Sequence, residues 1–290
     1  MVDDLSKFET SRITIEDVTR QYPIRDLPRY DKAVYGGPVL ALGQAVYEAQ
    51  PAKAAMNRQR LIESITRSFA PGNLWLLPMY ERQTYPYAVY WPLASAFAME
   101  RKQGRRFDWY LWADDDALFA ADDVLALSKA AAENNLLFVA AVPYDRLPPH
   151  SPSVVEDVEG KPYKWVKAPK SGTHPVKMTG FMLCLFHRSV FELVPEPWFG
   201  ICGPSKGFSG VAPDWWWSVQ MAKAGLQPWV CCDTDVTHLT TRGEINREFS
   251  EQFLAEHDPT EGQIVNDRTQ HTLSTGAVVV EPPAYQDGRS

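Results

Sequence analysis

The chain is poor in cysteine, has no long apolar run and carries no surplus of positive charge, and each shortage excludes something. Its 290 residues include four cysteines, Cys184, Cys202, Cys231 and Cys232. None forms a C-x-x-C pair, and the adjacent Cys231 and Cys232 make a poor bridging set, so buried reduced thiols in a reducing compartment are the expectation. No stretch approaches the roughly 20 apolar residues of a membrane span. The first residues, MVDDLSKFETSR, are too acidic and polar for a signal peptide. A cytoplasmic chain without an anchor of its own is expected. The formal net charge of -7 excludes a general polyanion-binding surface.

What is present is an alternation of apolar runs and helical patterns. Residues 1–35 are polar and read as an N-terminal extension. VLALGQAVY (39–47) reads as a strand. A helix follows over 53–69, where Leu61, Ile65 and Phe69 recur every four positions, and Pro71-Gly72 stops it. Further strands are expected at 73–80, 107–113 and 136–144, with helices at 87–102 and 121–133 between them. Pro92 is expected to delay the start of the former helix. Residues 145–175 read as a long loop, 178–194 as a strand entering a short helix, 200–213 as a glycine-rich loop, 214–225 as a helix and 227–232 as a last strand. The tail from 258 to 290 has little pattern. Such alternation argues for an α/β fold of the Rossmann-like kind, a mixed, mostly parallel sheet flanked by helices, with the folded domain over 36–257. Ligands in such sheets bind at the carboxyl ends of the strands.

The third expected strand ends in Asp114-Asp115-Asp116. In an extended chain Asp114 and Asp116 share a face. Two carboxylates on one face repel unless a cation lies between them, and hard oxygen ligands suit Mg²⁺ or Mn²⁺. A solvated acidic turn capping the next helix is the plainer alternative. An EF-hand does not fit, since Phe119 and Leu125 stand where its loop needs Gly and Glu.

Asp214 precedes a helix that opens with three tryptophans, and by itself reads as an N-cap. His238 follows a strand and the acids Asp233 and Asp235, and by itself reads as a hydrogen-bonded structural histidine. Trp215, Trp216 and Trp217 cannot all share one helix side. One belongs in the core. The glycine-rich loop, with Lys206, reads either as a closing lid or as a plain connection. Arg242 and Arg247 by themselves read as solvated arginines, the commoner case. Gly203-Pro204-Ser205-Lys206-Gly207 matches G-x-S-x-G, and with Asp233 or Asp235 and His238 it spells the chain order of an α/β-hydrolase. Pro204 and the glycines around Ser205 lack the strand–turn–helix context of that motif.

The order of these segments resembles the GT-A glycosyltransferases, family 2-like members most closely, over residues 38–240. VLALGQAVYEAQPA is similar to their first strand and nucleotide loop, and WADDDALF to their D-x-D motif. TGFMLCLFHRSVFE resembles the strand beneath the acceptor site, PDWWWSVQMAKAG the helix that opens with Glu-Asp, and VCCDTDVTHL the strand leading to a late metal-binding histidine. The resemblance implies a Mn²⁺- or Mg²⁺-dependent transferase acting on a nucleotide-sugar, UDP-sugars first. It implies Asp114, Asp116 and His238 as the metal set, Asp214 as the base of an inverting displacement, and Asp115, Tyr47, Glu48 and Glu81 at the donor, with Lys206 on a lid over the diphosphate, Arg242 and Arg247 as further diphosphate candidates, and Trp215 or Trp216 to stack on the acceptor. Pro213 stands where the family carries Glu, and Glu81 where many members carry an Asp pair. The first departure leaves open a catalytically inactive sugar-nucleotide-binding protein. A saccharide is the expected acceptor. A hydroxymethylated base in DNA is the alternative, disfavoured by the acidic net charge.

Overall fold

The computed structural model describes residues 39–46, 52–66, 73–77, 80–81, 85–158, 161–200, 213–240 and 243–257. The expected extension at 1–35 and tail at 258–290 lie outside them. The first half alternates as expected: β1 (Leu40–Gly43), β2 (Ala45–Val46), α1 (Ala52–Thr66), β3 (Leu74–Leu76), β4 (Tyr80–Glu81), α2 (Tyr85–Gln103), β5 (Trp109–Ala113), β6 (Ala117–Leu118), α3 (Ala121–Asn134) and β7 (Phe138–Ala141). The second half holds β8 (Val154–Val158), β9 (Lys161–Lys164), β10 (Thr173–Pro175), β11 (Met178–Thr179), β12 (Leu183–His187), α4 (Val190–Leu193), α5 (Pro213–Lys223), β13 (Trp229–Cys231), β14 (Thr237–Thr240), β15 (Gly243–Ile245) and α6 (Arg247–Glu256).

The main sheet has seven strands in the order β10-β13-β7-β12-β5-β1-β3. Strands β3, β1, β5, β7 and β13 run one way, while β12 and β10 run against their neighbours. The α/β class with a mixed, mostly parallel sheet flanked by helices is therefore what the chain adopts. Strand alternation sorts the core into two layers. Val39, Ala41, Tyr110, Trp112, Phe138 and Phe186 face one side, where Val89, Leu93 and Phe97 of α2 and Trp217 of α5 pack on them. Leu40, Leu42, Leu111, Ala113, Val139 and Leu185 face the other, against Val124 and Leu127 of α3. One layer is dominated by interlocked aromatic rings, such as Phe186 stacked on Phe191 at 5.5 Å and edge-on to Trp217 at 5.4 Å. Gly43 sits at the end of β1 because the Tyr110 hydroxyl lies 2.2 Å from where a Cβ would be.

Several local expectations give way to tertiary structure. Helix α2 begins seven residues before Pro92 and runs through it. The missing hydrogen bond is offset by the burial of Val89, Tyr90, Leu93, Ala94 and Phe97. The expected loop at 145–175 contains the β8–β9 hairpin, which pairs with β11, and the edge strand β10. These strands are short, and Lys161, Lys164 and Pro175 mask them by composition. Helix α6 also escapes the sequence reading, although Asn246 caps it by accepting from Phe249 N–H at 2.9 Å. Cys184, Cys231 and Cys232 are buried free thiols, and Cys202 lies outside the described residues. Among the described residues no helix is long and apolar enough to cross a membrane.

Candidate functional site

The carboxyl ends of β1, β5 and β7 converge with the start of β12 on one edge of the sheet. Strand β5 delivers the acidic triplet there. Asp114 N–H donates to Met182 O of the segment entering β12 at 2.9 Å, and Ala117 N–H donates back to Asp114 O at 3.3 Å. The triplet is thus a tight turn rather than an extension of the strand, and simple alternation no longer places its side chains. The turn is held from outside by Asn57 of α1. Its amide donates to Phe119 O at 2.8 Å and its oxygen accepts from Phe119 N–H at 3.1 Å. Leu239 N–H of β14 donates to Asp116 O at 2.7 Å.

Asp114 points back along β5, where its Oδ1 accepts from the Trp112 indole N–H at 2.9 Å. Burial, then the neighbouring Asp116 charge, push its carboxyl well above the ordinary aspartate range. Asp115 is half-buried in the middle of the turn. Asp116 faces β14, which pairs with β6 and sets His238 opposite Ala117. His238 Nε2 lies 3.4 Å from Asp116 Oδ2. The other ring nitrogen, Nδ1, donates to Tyr144 O at 2.9 Å, which fixes the ring with Nε2 on the Asp116 side.

One guanidinium serves both acceptors. Arg146, just beyond β7, places Nη2 at 2.5 Å from Asp116 Oδ2 and donates from Nε to His238 Nε2 at 2.7 Å. Burial would raise the Asp116 carboxyl, but His238 and Arg146 outweigh it and hold the group below its ordinary range. Arg146 is the residue that sequence reasoning missed. It stands alone in a proline-rich stretch, and only the exit of β7 brings it to the turn.

Among the described residues no three His, Cys, Asp or Glu side chains gather closely enough to hold a metal ion. Of the expected set, Asp116 and His238 come together while Asp114 turns to Trp112. The remaining pair offers one carboxylate and one imidazole. Among the described residues Asp116 Oδ1 is buried without a hydrogen-bond partner. The same is true of Gln44 Oε1, on a residue 3% exposed whose amide nitrogen donates to Asp114 O at 3.2 Å. Mg²⁺ commonly takes one or two carboxylates and completes its shell with water and phosphate oxygens.

Asp214 opens α5 on the same edge. Its Oδ1 accepts from Trp215 N–H at 2.8 Å. Desolvation raises its carboxyl to about 6 against the pull of backbone donors, including that of Phe181. Gly180, just before β12, makes room for it: a Cβ there would lie 3.3 Å from Asp214 Oδ2 and 3.1 Å from Pro143 Cγ. Burial, then the nearness of Asp114, and also that of Asp214, hold the Cys184 thiol well above its ordinary range, so both carboxylates surround one end of β12.

Of the tryptophans, Trp217 is fully buried in the core. Trp216 donates from its indole to Pro197 O at 2.9 Å, with Lys223 5.9 Å from its ring. Trp215 stays half-buried beside Asp214. Arg247 is not a spare cation, since it donates to Lys170 O and Cys232 O at 2.7 Å each. Tyr47, Glu48, Ser205, Lys206 and Arg242 lie outside the described residues, as does the side chain of Glu81. Of the α/β-hydrolase order, Ser205 lies outside the described residues, His238 Nδ1 donates to Tyr144 O, and Asp233 accepts from Gly172 N–H.

No family model matches the chain, and no curated protein matches it. Among solved structures it is similar to A197 from STIV, at TM-score 0.47 and 12% identity over 73% of this chain and 91% of that one. It is also similar to a glycosyltransferase involved in the glycosylation of the major capsid of PBCV-1, at TM-score 0.28 and 12% identity over 56% of this chain and 70% of that one. Likenesses this distant transfer no activity to the chain, so a functional reading has to stand on the residues themselves.

Proposed function

We propose that the chain is a glycosyltransferase of the GT-A type, which moves a sugar from a nucleoside diphosphate to an acceptor hydroxyl. One observation carries this reading. A half-buried, desolvated carboxylate poised near neutrality, Asp214, shares one sheet edge with a pinned acidic turn and an oriented histidine. Transfer from a nucleoside diphosphate needs two things: positive charge where the leaving phosphate gathers negative charge, and a base for the acceptor proton. A divalent cation held by Asp116 and His238, Mn²⁺ or Mg²⁺, would supply the first. Asp214 supplies the second. With its carboxyl raised to about 6 it is ionised at neutral pH, yet close enough to neutrality to accept a proton readily. Its place at the start of α5, opposite Gly180, suits a base that approaches the sugar from the acceptor side and inverts the anomeric centre. Trp215 offers an aromatic face for a saccharide acceptor next to that base. Asp115, the middle residue of the turn, is the candidate for contact with the donor, UDP-sugars being the first to try.

The test is to screen UDP-, GDP- and dTDP-sugars with Mn²⁺ by thermal shift, then to assay transfer by wild type and Asp214→Asn. The expected outcome is a donor that raises the melting temperature of both proteins and is turned over by wild type alone. Donor binding without turnover by wild type would point to an inactive sugar-nucleotide-binding protein. Undiminished transfer by Asp214→Asn would reduce Asp214 to a helix cap.

A further inference from the structure

We propose that Arg146 is a latch on the cation position: in the free chain its guanidinium occupies Asp116 and His238, and it gives way when a divalent cation and a diphosphate bind. The inference rests on the glycosyltransferase reading of this edge and adds an order of events to it.

The geometry sets up a competition. Asp116 Oδ2 and His238 Nε2 face each other at 3.4 Å, close enough for one cation to serve both. The Arg146 fork does so, at 2.5 Å and 2.7 Å. An imidazole Nε2 has a single lone pair. With Nδ1 committed to Tyr144 O, that lone pair goes either to Arg146 or to a metal ion. The two cations therefore exclude each other at His238.

The three partners differ in their freedom to move. Asp116 and His238 side chains are 13% and 11% exposed, whereas that of Arg146 is 59% exposed. The backbone beside Arg146 is anchored. Asp145 N–H donates to Ser151 O at 3.0 Å, and the Asp145 carboxylate is paired with Lys164 at 2.5 Å. Release of Arg146 thus needs side-chain rotation into solvent and no unfolding of the β7 exit. The guanidinium also leaves work undone. Among the described residues Asp116 Oδ1 stays buried without a partner, and it is a hard oxygen donor of the kind a divalent ion takes. Once displaced, a guanidinium a few ångströms from the cation is suited to a bidentate grip on phosphate oxygens. The consequence is reciprocal: the diphosphate strengthens cation binding by removing the latch, and the cation frees the guanidinium for the diphosphate.

The decisive measurement is Mn²⁺ alone titrated into metal-free protein, with free Mn²⁺ read by electron paramagnetic resonance. Wild type, Arg146→Gln, Arg146→Lys and Asp116→Ala are compared, each checked for native circular dichroism. Arg146→Gln is expected to bind Mn²⁺ roughly tenfold tighter than wild type, the scale of losing a charge-assisted competitor. Arg146→Lys keeps the charge but cannot span both acceptors. It should also bind tighter than wild type, which separates competition for lone pairs from plain repulsion. If neither Arg146 variant gains affinity while Asp116→Ala loses it, the latch is wrong and the cation position stands. If Asp116→Ala binds Mn²⁺ as wild type does, or no chain binds it, the cation position falls and the latch falls with it.

Discussion

Two carboxylate–guanidinium pairs in this molecule differ in a way that separates scaffold from site. Glu100 of α2 and Arg188, just past β12, form the closed pair, with side chains 4% and 14% exposed. Arg188 Nε and Nη2 reach the two oxygens of Glu100 at 2.6 and 3.1 Å, and Phe107 N–H adds a third donor at 3.1 Å. Phe97 and Phe107 flank the guanidinium at 5.2 and 5.9 Å. Burial raises the Glu100 carboxyl while Arg188 pulls it down. Burial lowers the Arg188 guanidinium, yet Glu100 holds it above its ordinary range. Each group depends on the other. Asp116 and Arg146 form the open pair: one oxygen is served, the other is orphaned, and the guanidinium lies mostly in solvent. A satisfied pair with no access belongs to the fold, and a half-satisfied pair with one mobile partner is free to exchange that partner.

Breaking the closed pair should have the largest effect on stability. Glu100→Ala leaves the buried Arg188 charge and Phe107 N–H without their acceptor, and a loss of about 3–5 kcal/mol is expected in urea unfolding. The Mn²⁺ affinity of whatever remains folded should be unchanged. A loss under 1 kcal/mol would mean that Glu192, which also contacts Arg188, suffices on its own.

Asp214 sharpens the contrast, because it is a half-buried carboxylate with no guanidinium partner among the described residues and acts against the fold at neutral pH. Its folded value of about 6 lies above its ordinary 3.8, so the native state binds the proton more tightly. Its contribution to stability is then fully present below about pH 4 and is lost as pH rises through about 6. The difference amounts to roughly 3 kcal/mol at pH 7, an upper figure for a group that is not wholly shielded. Asp214→Asn should therefore unfold at higher urea than wild type at pH 7, with the gap shrinking toward pH 4, while transfer is abolished. Wild-type transfer should fall on the acid side with an apparent pKa near 6. Equal midpoints for the two proteins at pH 7 would remove the physical basis for Asp214 as base.

Gly180→Ala tests the space that this base needs. A new Cβ at 3.1 Å from Pro143 and 3.3 Å from Asp214 Oδ2 forces a shift of a few tenths of an ångström. A cost of about 1 kcal/mol and about a tenfold fall in kcat are expected, with KM for the donor little changed. A larger rise in donor KM than fall in kcat would move Asp214 to the donor side.

The sequence exposes what is periodic or local. The apolar run into Asp114-Asp115-Asp116, the alternating strands and helices of the first half and the place of Asp214 at a helix start are all legible that way. Contact between Asp116 and His238 followed only from the order of segments in a resembling family, because 122 residues separate them and nothing local joins them. The turn at Asp114–Ala117 was hidden because three acids in a row read equally well as strand or turn. Their backbone bonds run to Met182 and Leu239, and Asn57 pins Phe119 just beyond them, all distant in sequence. Arg146 was hidden for the same reason. An isolated arginine between prolines carries no pattern, and its role comes from where β7 stops relative to β14.

The smallest expected effect on stability belongs to the open pair. Arg146→Gln removes a guanidinium that is mostly solvated and whose long stem loses little on release, so its unfolding free energy should stay within about 1 kcal/mol of wild type. Arg188→Gln, the same change at the closed pair, should cost several times more, because it strips Glu100 of both its charged donors in the core. The two variants measured side by side in urea at pH 7 put the comparison to its hardest test. Equal losses would mean that Arg146 is as much a part of the scaffold as Arg188 and that its pairing with Asp116 and His238 holds the edge together. A near-zero loss for Arg146→Gln alone is what a partner held in readiness for exchange requires.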